Sequence, residues 1–237
     1  MAEAVEQHIN KVTQLVEEKQ RLVDNVAHEL RTPLTSMKGF ADYLMLANCP
    51  EQERIIAGNY IKSESVRLNQ LSQKLLDISS LNQISINQES IEIDKLFQNV
   101  MDIVRPKLLH SGQTLTMAGN HERLQGDFQL LVSLMVNLVE NAIYASKQND
   151  KIELNAFRQD QQVVLEISDH GCGMEEEQIE KVFEAFYRID KSRSREYGGA
   201  GLGLALCKQI AKAHGANIKI ESELEKGTKV QIYFTTS

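Results

Sequence analysis

The sequence predicts an α+β protein in two parts. An antiparallel helical hairpin, forming a four-helix bundle with a second copy of itself, precedes an α/β sandwich with a mixed, largely antiparallel sheet. Residues 1–82 contain no glycine except Gly39 and Gly58, and their apolar positions recur at helical spacing. Beyond Asn82 short alternating runs are interleaved with helical patterns. A chain of 237 residues with 42% apolar content has room for two modest domains, placed at 1–82 and 83–237.

The first helix is read from the register of Val5, Ile9, Val12, Val16, Val23, Val26 and Leu30, whose steps of four and three are those of a coiled-coil seam. Lys19 fills the single polar slot of that seam. The helix is expected to reach about Leu46, bent at Pro33, because proline removes a backbone donor and crowds the preceding turn. Asn48-Cys49-Pro50 breaks the pattern, and a second helix starts near Glu51 with Ile61, Leu68, Leu71, Leu75 and Ile78 available for an apolar stripe. A lone helical hairpin cannot bury two such faces, and a homodimer can.

In the second part, Ser90–Ile93 reads as a strand, Asp94 as the cap of a helix to Leu109, and Gln113–Met117 as a strand. A long helix over Asp127–Ser146 and strands at Ile152–Phe157 and Val163–Ser168 follow. After an irregular glycine-bearing stretch come a helix from Leu202 to His214 and strands at Asn217–Ser222 and Lys229–Phe234. Helices beside such a sheet make a sandwich of ordinary size for one domain.

The net charge of −7 disfavours nucleic acid as a partner. Cys49, Cys172 and Cys207 are odd in number and widely spaced, which fits reduced thiols in a cytoplasmic protein, with Cys172 expected to be small and buried. No apolar stretch approaches the ~20 residues of a membrane span, so the chain is expected to be soluble, alone or as the intracellular part of something longer.

Four features carry chemistry. His28 opens the run His28-Glu29-Leu30-Arg31-Thr32-Pro33-Leu34 and falls at the f position of the register, pointing away from the partner helix. Ser133, Asn137 and Asn141 share one face of the long helix at i, i+4, i+8, opposite an apolar face of Leu131, Leu134, Leu138 and Ala142. Carboxamides in line offer oxygen to a metal and nitrogen to phosphate, the alternative being a face turned to water. Asp169-His170-Gly171-Cys172-Gly173 ends a strand in a carboxylate able to accept from an exocyclic amine such as adenine's, with glycines for a tight turn beside a flat ligand. Gly199, Gly201 and Gly203 open a helix whose unpaired N–H groups suit an anion, without the lysine of a P-loop. Between them, Phe183, Phe186 and Tyr187 can anchor a loop whose Arg188, Lys191, Arg193 and Arg195 reach a phosphate tail.

In this order, after His-Glu-x-x-Thr-Pro, the motifs closely resemble those of the sensor histidine kinases of two-component signalling, over nearly the whole chain. The resemblance implies a dimerisation and phosphotransfer domain followed by the ATP-binding domain shared with gyrase, chaperone and mismatch-repair ATPases. It implies that His28 accepts the γ-phosphate of ATP as a neutral imidazole and passes it to an aspartate on the receiver domain of a response regulator. Glu29 is then the group that orients or deprotonates the imidazole, and Thr32 the one that positions water when the regulator is dephosphorylated. Asn141 resembles the Mg2+ ligand, Asn137 lies close to the phosphates, Asp169 reads adenine, and Gly171 and Gly173 line the base pocket. Arg188 resembles a phosphate contact; Gly199, Gly201 and Gly203 resemble the second glycine box, and Gly227-Thr228 a short third one. Tyr144 stands where many members carry a basic residue, leaving Lys147 as the substitute. An upstream sensor or membrane segment outside this chain is also implied.

His8, His110, His121 and His214 have no partners at ligand spacing, and His170 is expected only to shape its turn. Two other functions share parts of this pattern: a dimeric scaffold that binds nucleotide without kinase output, and an ATP-driven machine of the chaperone or mismatch-repair type. Neither needs an exposed nucleophile at His28.

Overall fold

The computed structural model describes residues 2–46, 49–80, 86–189 and 200–235. By its internal packing the chain divides into two bodies, Met1–Gln73 and Lys74–Ser237.

The first body is a pair of helices. Helix α1 spans Ala2–Leu44 and continues through Pro33, whose ring is buried. Pro33 has no N–H to give the carbonyl of Glu29, one helical turn earlier. Helix α2 spans Glu51–Ser80 and starts where the sequence places it, with Glu51 and Glu53 in the first turn complementing the helix dipole. Ala57 and Leu71 are its buried residues. Of the expected seam, Val5, Ile9, Val12, Val16 and Val23 are each more than half exposed within the single chain, and Val26 and Leu30 are half-buried.

The second body is a sandwich. Strand β1 (Glu89–Glu92), close to the expected Ser90–Ile93, pairs antiparallel with β3 (Arg123–Gly126), Ile91 facing Leu124, as a two-stranded sheet whose second strand periodicity does not reveal. Helix α3 covers Ile93–Ser111, and its N-cap is Glu92. Asp94, expected to cap, lies instead in the first turn, where its carboxylate meets the His121 ring at 2.7 Å. Strand β2 (Thr114–Ala118) follows, then helix α4 (Phe128–Ala145), capped by the Asp127 side chain accepting from the Leu130 N–H at 3.1 Å.

Strands β4 (Lys151–Gln159), β5 (Gln162–Asp169), β6 (Asn217–Glu223) and β7 (Gly227–Thr235) join β2 in a sheet of order β2-β4-β5-β7-β6. Only the β2–β4 pairing is parallel, so the sheet is mixed and mostly antiparallel, as expected. Central β5 buries Val163, Val164, Leu165 and Ile167 on both faces, which explains its nearly continuous apolar run. A short helix α5 (Glu176–Ile179), a 3₁₀ turn (Lys181–Phe183) and helix α6 (Gly203–Ala213) complete the described elements.

Helix α4 is long and apolar enough to cross a membrane by length and composition, contrary to the expectation that no stretch comes close. Its apolarity has a packing cause: Leu131, Leu134, Met135, Leu138 and Val139 are buried in the core of this body.

Candidate functional site

Among the described residues three polar side chains are buried, Gln113, Asn137 and Asp169, and two of them were picked out by spacing. Asn137 is 7% exposed, which removes the reading of its face as merely solvated. Its Nδ2 donates to the Ser133 carbonyl at 2.7 Å, and its Oδ1 accepts from Lys74 Nζ at 3.0 Å. One partner must accept and the other must donate, so the orientation of the amide is fixed. One turn on, Asn141 Nδ2 is buried without a partner. A Cβ built on Gly203, the first residue of α6, would lie 3.2 Å from Asn137 Oδ1 and 3.9 Å from Asn141 Nδ2. The start of α6 therefore closes directly over the two carboxamides. Its N-cap, Leu202, supplies no side-chain hydrogen bond, so the first-turn N–H groups are not capped by it.

Asp169 ends β5 beside β7. Its Oδ1 accepts from Gly171 N–H at 2.9 Å and from Thr228 N–H at 3.2 Å. Burial pushes its carboxyl above the usual aspartate range, while those two N–H groups pull the other way. Because both bonds fall on one oxygen, Oδ2 is left for a ligand donor.

The turn after Asp169 needs its glycines for a reason other than a flat ligand. A Cβ on Gly171 would sit 2.3 Å from the Ala145 carbonyl oxygen, and one on Gly173 would sit 2.0 Å from that of Glu223. The close approach is protein backbone on protein backbone, and Gly173 also has φ +62°. Cys172 N–H donates to Ala145 at 3.0 Å, tying the turn to the end of α4. Cys172 is exposed, not buried, because its main chain makes the contacts and its side chain points out. Thr228 adds a hydroxyl contact of 2.9 Å to Ser222, which also accepts from Met174 N–H at 3.0 Å.

Gln113 escaped the sequence reading. Its Nε2 donates to the carbonyls of Ile143, Ser146 and Lys147 at 2.9–3.3 Å, satisfying the end of α4 from the neighbouring β2. A glutamine at the start of a strand gives no signal of this, since its partners are about thirty residues away or more.

The remaining candidates fall unevenly. Gly201 lies at φ +71° and its carbonyl accepts from Phe186 N–H at 2.8 Å, joining the aromatic stretch to the start of α6. Arg188 is half-buried and Lys147 exposed. Gly199, Lys191, Arg193 and Arg195 lie outside the described residues, as does the side chain of His8. His214, without expected partners, has two: its Nε2 accepts from Asp127 N–H at 3.0 Å and its Nδ1 donates to Ile210 at 2.8 Å. Cys207 is fully buried and its thiol is pushed up to about 12 by burial.

In the first body, the side chain of His28 is 72% exposed. Thr32, one turn on, is exposed on the same side. Glu29 Oε1 stands 4.0 Å from His28 Nδ1, outside hydrogen-bond range, and Glu29 Oε2 is 3.7 Å from Arg67 Nη2. Arg67 also pairs with Glu64 at 3.3 Å. Arg67, which the sequence did not mark, thus places a cation beside the Glu29 carboxylate.

The donors fit a magnesium ion shared with phosphate. The described residues hold no group of three or more His, Cys, Asp and Glu that would form an all-protein cage. Asn141 has a buried amide end without a partner, and rotation of the carboxamide brings its oxygen to the same point. One amide oxygen completed by phosphate and water is the kind of incomplete set magnesium accepts.

Residues 126–237 match the family of histidine kinase-, DNA gyrase B- and HSP90-like ATPases, and residues 18–84 match the histidine kinase A phospho-acceptor domain. The sensor protein SrrB of Staphylococcus aureus is 31% identical over 214 residues, 89% of this chain and 37% of that protein. Sensor histidine kinase YclK of Bacillus subtilis is 29% identical over 233 residues, 97% of this chain and 49% of its own. The chain thus spans less than half the length of these relatives. A solved histidine kinase, ThkA in complex with the response regulator TrrA, shares the fold with a TM-score of 0.71 at 22% identity, over 96% of this chain and 66% of that one. Carrying a phospho-acceptor hairpin followed by an ATPase sandwich, the chain belongs to the sensor histidine kinases of two-component signalling.

Proposed function

We propose that the chain is a homodimeric histidine autokinase that moves the γ-phosphate of Mg-ATP to His28 and from there to an aspartate on the receiver domain of a response regulator. The functional division is 1–82 for dimerisation and phosphotransfer and 83–237 for ATP binding. The observation that carries the reading is the outward, 72% exposed imidazole of His28, which neither a scaffold nor a chaperone-type ATPase has use for.

In this reading Asp169 Oδ2 accepts from the adenine amine, and the turn of Gly171, Gly173 and Thr228 holds that carboxylate in place. Asn137, Gly201, Gly203 and the start of α6 face the phosphates, with Gly199, Arg188 and Lys147 as further contacts. Asn141 holds the magnesium ion, which when bound neutralises phosphate charge. An imidazole nitrogen of neutral His28 attacks the γ-phosphorus, a phosphorus–nitrogen bond forms, the bond to the bridging oxygen breaks, and ADP leaves. Glu29, with Arg67 beside it, orients the imidazole and takes up its proton. Receiver docking is supported by the neighbour ThkA, solved with TrrA. Thr32, exposed beside His28, holds water against the aspartyl phosphate when the regulator is dephosphorylated. The chain works inside the cell as the output portion of a longer sensor, an assignment supported by SrrB and YclK.

Incubation with γ-labelled ATP tests the reading. Acid-labile, base-stable label should appear on the chain and vanish in His28→Gln, with dimerisation and ATP binding retained. Label that survives the substitution, or that resists acid, overturns it. Thr32→Ala should keep most self-phosphorylation and slow regulator dephosphorylation about ten- to a hundredfold. Equal losses in both assays would reduce Thr32 to a helix-stiffening role.

A further inference from the structure

The phosphate side of the second body contains a cation that no motif marks. Lys74 lies near the end of α2, in the part of that helix that belongs to the second body. One turn on, Ile78 rests against the core of that body, so the last turns are held in place beside α4. From there the Lys74 ammonium reaches Asn137 Oδ1 at 3.0 Å. The amide cannot turn away, because its nitrogen is committed to the Ser133 carbonyl. The charge of Lys74 is also felt at buried Cys207, on α6. Lys74 thus stands where α4 and α6 converge, beside the partnerless Nδ2 of Asn141 and the uncapped start of α6.

We propose that Lys74 is a phosphate-binding residue of the nucleotide site, its ammonium held by Asn137 and directed at the oxygens of the polyphosphate chain. An ammonium carries three donors, and the bond to Asn137 uses one of them. The others suit a polyanion, whose oxygens accept more strongly than an amide does. The chain as a whole carries a charge of −7, so a polyanion gains affinity from a cation at the site itself.

The inference rests on the ATP reading above, and the test separates the two. Binding of Mg-ATP, ADP and adenosine is measured by calorimetry on the full chain and on Lys74→Met, which keeps the aliphatic stem and removes the charge. Lys74→Met should weaken Mg-ATP by about ten- to a hundredfold, weaken ADP less, and leave adenosine unchanged. Lys74→Arg should recover most of the ATP affinity, and the salt dependence of ATP binding should be shallower in Lys74→Met. Unchanged or tighter ATP binding in Lys74→Met overturns the proposal, the tighter result making Lys74 a competitor for the site. Equal losses for ATP and adenosine also overturn it, because they report a disturbed fold. Failure of the unsubstituted chain to bind Mg-ATP overturns both this proposal and the reading it rests on.

Discussion

The hairpin and the sandwich solve the burial of apolar surface in opposite ways. In the sandwich, Leu131, Leu134 and Leu165 are fully buried, and polar groups reach across the fold, as Gln113 does to the end of α4. In the hairpin, Val16 is 63% exposed and Val66 52%, and most of the side-chain bonds given for α1 and α2 join residues three or four apart, as from Thr35 to Arg31. One body completes its core within a single chain; the other leaves apolar side chains exposed within it.

Truncation inside each body should separate them most strongly. Leu134→Ala, at a fully buried position, should cost about 2–5 kcal/mol in denaturant unfolding of the sandwich. Val66→Ala should change the stability of dilute, monomeric chain by less than about 0.5 kcal/mol. Similar costs at the two sites would erase the contrast. Next in size, Val16→Glu combined with Val23→Glu should weaken self-association at least about tenfold in sedimentation experiments, leaving nucleotide affinity intact. Unchanged association would place the dimer contact away from this seam.

Asp169→Asn should set function against stability within the sandwich. A carboxyl held above its ordinary range binds its proton more tightly in the folded chain than in the unfolded one. Its contribution is present below the unfolded value and is lost as pH rises through the folded one. The amide of the variant has no such loss and its oxygen can still accept from Gly171 and Thr228, so the substituted chain should gain melting temperature over wild type as pH rises above the ordinary aspartate value of about 4. Adenine nucleotides should bind about tenfold more weakly, since an acceptor becomes a donor facing the amine. Parallel melting curves across that pH range would remove burial as the cause. The smallest effect is expected of Lys19→Leu, which replaces the charged seam residue and should raise the thermal stability of the dimer by about 1 kcal/mol or less.

Periodicity made the long helices and the sheet strands legible, because residues that repeat every 3.6 or 2 positions report which face is buried without reference to a partner. The start of α2 at Glu51 follows from local chemistry alone. The cap at Asp94 failed because a carboxylate in a first turn can bind a distant side chain, here His121, and the chain starts its helix one pairing earlier against β3. Likewise β3 is too short to show a period and exists because β1 pairs with it.

The site divides in the same way. Sequence alone determined which residues are proposed to bring chemistry: His28 outside the seam, Asn137 and Asn141 on one face, Asp169 at a strand end before glycines. Their states came from neighbours far along the chain. Asp169 is buried against the turn of Thr228, Asn137 is oriented by Lys74, the end of α4 is satisfied by Gln113, and Glu29 has the charge of Arg67 beside it. Spacing along one helix or strand can place a donor or a carboxylate on a face, but burial and hydrogen-bond geometry are set by segments that meet only when the chain folds.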